Sequence, residues 1–124
     1  MTARVLGLGA VFVTEFPEHD PSGREQQGLR PAVVVGLPTN AGPPRFPVLL
    51  LAPVATYRAQ DWVTAAPDLY PVLSAGTGGL TAASVVLIDQ TRALDASRVR
   101  RFLGTLTSDQ YAPIHAGLKS ICEY

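Results

Sequence analysis

The sequence predicts a mainly β (α+β) fold, a small β-barrel closed by a C-terminal α-helix, on three observations. Eleven glycines and eleven prolines in 124 residues are a composition that suggests tight turns between short strands rather than a helical bundle. Hydrophobic residues make up 47% and charged residues only 16%, a balance suited to short buried strands joined by tight turns. Helical spacing combined with a start signal is found only in the last segment. The length suits one domain spanning 1–124, in which roughly two thirds of the unfolded surface is buried. No linker, internal repeat or low-complexity tract interrupts it.

Ala10 to Phe16 alternates roughly and predicts a first strand. Pro17 to Gly28 is a polar loop, long for a connection in a compact barrel, and loops of that length usually carry function. Ala32 to Val35 and Val48 to Ala52 are continuous apolar runs bounded by Gly or Pro, so both predict buried strands flanking a turn-rich segment. Within Tyr57 to Gly79, Leu69 to Leu73 can pair at a sheet edge because Pro71 cannot complete a central ladder. The A-G-T-G-G of Ala75 to Gly79 lacks the Gly-Lys-Ser/Thr ending of a phosphate loop, so it is a turn.

Ser84 to Ile88 is the strongest strand pattern, and Phe102 to Leu106 predicts the last strand. Between them Asp95 can cap a short helical turn reaching Arg101. Thr107-Ser108-Asp109-Gln110 is a capping box that starts the terminal helix. Tyr111, Ile114, Leu118 and Ile121 step by three or four and form one apolar stripe, and Pro113 is tolerated near the first turn.

Ten basic residues balance ten acidic ones, so no global positive field attracts nucleic acid and any RNA contact must be local. Nine of the ten basic residues are Arg, which favours planar bidentate contacts. Cys122 is the only cysteine, excluding an internal disulfide and a cysteine-rich metal site and agreeing with a reducing cytoplasm. Arg4 followed by Val5 to Val13 imitates a signal peptide, but Glu15 closes the run and nine residues cannot span a bilayer. A strand, and no membrane partner, is expected there.

The stretch from Gly23 to Gly36, G-R-E-Q-Q-G-L-R-P-A-V-V-V-G, sets a charged, amide-rich loop directly before a buried strand. Arg30 falls at the junction, where Pro31 as first strand residue gives up a backbone donor that the ladder does not need. A guanidinium fixed at such a point suits a phosphate.

At this motif the sequence resembles the MazF/PemK family of bacterial toxin endoribonucleases, whose members carry G-x-E-Q-x-G-x-R-P before an apolar strand. Gly9 to Pro17, Val48 to Thr56 (V-L-L-L-A-P-V-A-T) and Ser84 to Asp95 (S-V-V-L-I-D-Q-T-R-A-L-D) are similar to three further family blocks in the same order. The resemblance implies an SH3-like barrel of the CcdB/Kid/MazF type that pairs as a homodimer. It also implies metal-independent, cofactor-free cleavage of single-stranded RNA, in which the 2'-OH attacks the adjacent phosphate and leaves 2',3'-cyclic phosphate and 5'-OH ends. A MazE-like antitoxin lying along the RNA groove is the implied partner, and the cytoplasm the implied location.

Under that resemblance Arg30 is the expected charge stabiliser, Thr56 the hydroxyl partner and Glu25 the base. Arg24, Gln26, Gln27, Asp89 and Gln90 are expected RNA contacts. Two positions depart from the family pattern. Ala55 stands where members carry the Thr of A-P-V-T, with Thr56 one residue later. Arg24 and Leu87 replace the His and Arg of the PemK/Kid branch.

Each of these residues also has a structural reading: Arg30 as a surface strand residue, Glu25 as a loop carboxylate, Asp89 as a turn cap. His115 is expected to pack beside the helix stripe and Cys122 against the barrel, while His19 sits in the long loop. No cluster has metal-ligand spacing. The alternative function is a non-catalytic toxin-like barrel that binds RNA or a protein such as gyrase, since one fold serves both classes.

Overall fold

A computed structural model describes residues 7–18, 23 and 27–123. Seven strands form one curled antiparallel sheet, a half-barrel: β1 (Ala10–Phe16), β2 (Gly28–Gly36), β3 (Val48–Thr56), β4 (Val72–Leu73), β5 (Ser84–Val86), β6 (Arg92–Asp95) and β7 (Val99–Thr105). The helices are α1 (Asp61–Ala65) and α2 (Ser108–Cys122). Strand order is β4-β5-β3-β2-β1-β7, with β6 also pairing β3.

The long β3 changes partner along its length. Val48 to Leu51 pair with β6, and Val54 to Thr56 pair with β5. Pro53 falls in the gap between the two ladders, which is why a proline is tolerated in a central strand; its carbonyl accepts the Leu87 N–H at 2.9 Å.

Strand alternation sorts the apolar runs onto two buried faces. Val11, Val33, Ala52, Val54 and Val86 share one cluster with Ile114 of α2, whereas Phe12, Phe16, Ala32, Val34, Leu51 and Leu94 fill the other. A third cluster forms where Val63 of α1 covers Val85 and Leu87. Ser84 to Ile88 is therefore buried within one chain, with α1, unforeseen in the sequence, supplying the cover.

Several predicted boundaries shift. The second strand begins at Gly28, so Pro31 is its fourth residue rather than its first; the β3 ladder starts only at Ala32, leaving Pro31 paired on one side, to Val13. Asp95 caps as expected, accepting from the Ser97 N–H at 2.9 Å, but the turn ends at Arg98 and β7 begins at Val99. Leu69 to Leu73 contracts to the two-residue edge strand β4, because Leu69 and Tyr70 close a turn onto the Ala66 carbonyl.

In α2 the capping box forms as read: Thr107 Oγ1 accepts from the Gln110 N–H at 3.2 Å, and Gln110 Oε1 accepts from the Thr107 N–H at 2.8 Å. Thr107→Ala is expected to cost about 1 kcal/mol, seen as a lower urea midpoint at unchanged slope. The core stripe ends at Leu118, with Gly117 buried against Ile88 and the Asp68 carbonyl. Ile121, His115 and Cys122 are exposed, correcting the expectation that they pack on the sheet: His115 lies mid-helix off the Ile114–Leu118 stripe, and the last turn, with Ile121 and Cys122, runs past the core it covers. No helix among the described residues is long and apolar enough to cross a membrane.

Candidate functional site

Where β2 begins and β3 ends, a cleft of about 360 Å³ opens, lined by Arg30 of β2, Thr56 of β3, Ser84 of β5 and Arg101 of β7. Val13, Leu29 and Leu80 supply apolar wall. The strand that carries Arg30 enters through Gly28 at φ +84°, a left-handed conformation that glycine adopts without a Cβ penalty. Arg30 is half-buried, and its Nε donates to the Gln27 carbonyl at 3.0 Å, which fixes the plane of the guanidinium. Across β1 it faces Thr14, whose buried hydroxyl donates to the Phe12 carbonyl at 3.3 Å.

Register decides what stands beside Arg30. Ala32 pairs with Pro53, so alternation sets Ala55 on the Arg30 face of the sheet and Thr56 on the face shared with Pro31 and Val13. Both strands end here, and Arg30 and Thr56 both border the cleft. Thr56 pairs with Ser84, whose hydroxyl donates to the Ala82 carbonyl at 2.7 Å. The exposed Arg101 pairs with Val13 and thus joins the Thr56 face. With Thr81 also in the lining, the cleft carries two guanidiniums and three hydroxyls, a set suited to an anion with several oxygens.

Arg101 is the residue that the sequence reading missed. Assigning Asp95 to Arg101 as a helical turn concealed it; alternation in V-R-R-F-L-G-T, started at Val99, would have exposed it.

Asp89 and Gln90 lie apart from the cleft lining, in the tight turn Ile88–Gln90. The Tyr70 hydroxyl donates to Asp89 Oδ2 at 2.6 Å, and Trp62 meets Tyr70 edge-on with ring centroids 4.9 Å apart. That hydrogen bond, then burial and the Asp89 charge, hold the Tyr70 phenol above its usual range. Since the neutral phenol is the favoured folded form, this contribution to stability is present below the unfolded tyrosine pKa and is lost as pH rises through the folded one. Asp89→Asn should lower the Tyr70 titration midpoint in an alkaline ultraviolet titration.

Gln27 contributes the carbonyl that anchors Arg30. His19, Arg24, Glu25 and Gln26 lie outside the described residues. Among the described residues, no three His, Cys, Asp or Glu side chains converge into a metal-holding group.

Residues 8–122 match the family described as PemK-like, MazF-like toxin of type II toxin-antitoxin system. No curated protein matches the chain. Among solved structures, MazF from Deinococcus radiodurans shares 25% identity with a TM-score of 0.71, over 94% of this chain and 96% of that one. A MazE–MazF complex from the same organism shares 26% identity with a TM-score of 0.61, over 93% and 92%. An endoribonuclease in complex with its cognate antitoxin, from a mycobacterial species, is 16% identical with a TM-score of 0.65 over 94% and 93%, a likeness that carries the fold alone.

Proposed function

The chain belongs to the PemK-like, MazF-like toxin family of type II toxin–antitoxin systems, and from that premise we propose that it is a sequence-specific, metal-independent endoribonuclease acting on single-stranded RNA in the cytoplasm. The observation that carries this reading is the half-buried Arg30, anchored through Nε and lining one cleft with Thr56 and Arg101. A guanidinium already in place meets the charge that develops at phosphorus with little reorganisation.

In the proposed reaction a ribose 2'-OH attacks its own 3'-phosphate. Glu25 accepts the 2'-OH proton, and Arg30 stabilises the phosphorane and supplies a proton to the departing 5'-oxygen. Thr56 donates to a non-bridging oxygen. The P–O5' bond breaks, leaving a 2',3'-cyclic phosphate and a 5'-OH. Structures of the family solved with antitoxin support a MazE-like partner for this chain, and the exposed Trp62 and Phe102 support a homodimer.

One observation favours a second reading. Ala55 occupies the Arg30 face without a hydroxyl, which suits a toxin-like barrel that binds RNA or a protein without turnover. Incubating the purified chain with mixed RNA in EDTA and mapping new 5' ends separates the readings. Discrete 5'-OH ends at a shared motif support the nuclease; intact RNA supports binding alone.

A further inference from the structure

Beside the Arg30 cleft lies a second, wider one of about 740 Å³, which shares Val13 and Leu29 with the first. Its charged lining comprises Glu15, Glu18, Arg98 and Arg100. Glu15 occupies an unusual position there: one carboxylate oxygen meets Arg98 Nη1 at 3.6 Å, while the other accepts from Arg100 Nη2. The Arg100 hydrogen bond and charge, with a lesser contribution from Arg98, hold the Glu15 carboxyl below its usual range. Each oxygen of a single anion is thus matched to its own guanidinium.

The two clefts lie on one face of the sheet. Glu15 pairs with Leu29, Val13 pairs with Pro31 on one side and Arg101 on the other, and Leu29 is 66% exposed between the clefts. A strand of RNA passing from Thr56 over Leu29 therefore meets Arg98 and Arg100 next.

We propose that Arg98 and Arg100 form a phosphate subsite for a nucleotide neighbouring the cleaved linkage, occupied in the free protein by the carboxylate of Glu15; this rests on the RNA-cleaving reading of the Arg30 cleft. A phosphodiester offers two non-bridging oxygens that share one negative charge, the same pattern that Glu15 presents. Exposed ion pairs contribute little to stability, so exchanging carboxylate for phosphate costs the fold little. Glu15 and Glu18 leave the subsite near neutral when empty, which suits one phosphate of a continuous backbone better than a densely acidic peptide.

The test uses fully 2'-O-methylated RNA, which cannot undergo internal attack, in a dinucleotide and in a longer form. Combined Arg98→Ala and Arg100→Ala should weaken binding of the longer RNA by about tenfold and reduce its log-log salt slope by about 1.4, two contacts at about 0.7 each. Glu15→Gln should tighten binding of the longer RNA. Arg45→Ala, removing an exposed arginine that stacks on Phe46 away from both clefts, serves as the control for lost charge.

Equal losses in the double variant and the control would overturn the subsite, as would weakening confined to an antitoxin peptide. If the double variant does not fold, Glu15→Gln decides alone: unchanged or weaker RNA binding overturns the proposal. Length-dependent binding by a chain that fails to cut RNA supports the subsite while removing the nuclease reading.

Discussion

Arg30→Ala is expected to slow RNA cleavage by about a hundredfold or more, the loss typical when one preorganised donor is removed from developing charge. Stability should change by only about 0.5 kcal/mol, because the side chain is half-buried and its one described hydrogen bond goes to a loop carbonyl. Arg30→Lys keeps the charge but loses the planar fork, so it should recover only part of the rate. Single-turnover cleavage of a mapped substrate, beside urea unfolding of each variant, checks both halves of the expectation. Full activity in Arg30→Ala would remove it from the chemistry. Thr56→Ala should cost less, about tenfold, in the same assay if its hydroxyl reaches a non-bridging oxygen.

Gly79→Ala is expected to destabilise the fold by about 3 kcal/mol, combining steric overlap with backbone strain. Gly79 has φ +78°, and a Cβ there would stand 2.0 Å from the Leu103 carbonyl oxygen. The facing Gly104 is crowded too, though less severely: a Cβ there would fall 2.7 Å from the Gly78 carbonyl carbon. The turn Thr77–Gly79 is thus pressed onto the backbone of β7, and it forms part of the Arg30 cleft. Gly76→Ala is the internal comparison: φ is +87° but nothing lies within 4 Å, so only the conformational cost of about 1 kcal/mol is expected. Equal urea midpoints for the two variants would show that the close approach to Leu103 carries no energy.

Much of this protein was determined by local sequence. Ala10 to Phe16 alternates only roughly, yet its strand bounds agree with the structure, and the Thr107–Gln110 capping box marks the start of α2 because both its hydrogen bonds form within four residues. The spacing of Tyr111, Ile114 and Leu118 likewise named the docked face of the helix. At the candidate site, G-x-E-Q-x-G-x-R-P singled out Arg30 through its place between a glycine-bounded loop and an apolar run.

Tertiary structure decided what depends on pairing between distant segments. The exchange of β6 for β5 along β3 explains Pro53, yet no local pattern announces it. The short α1 earns its place by covering Val85 and Leu87, contacts more than twenty residues away in sequence. Arg101 joins the cleft only because β7 pairs with β1, and Ala55 rather than Thr56 shares the Arg30 face because Ala32 meets Pro53. Side chains change face with every residue, so such assignments turn on register, which is set by contacts across the whole sheet rather than within one segment.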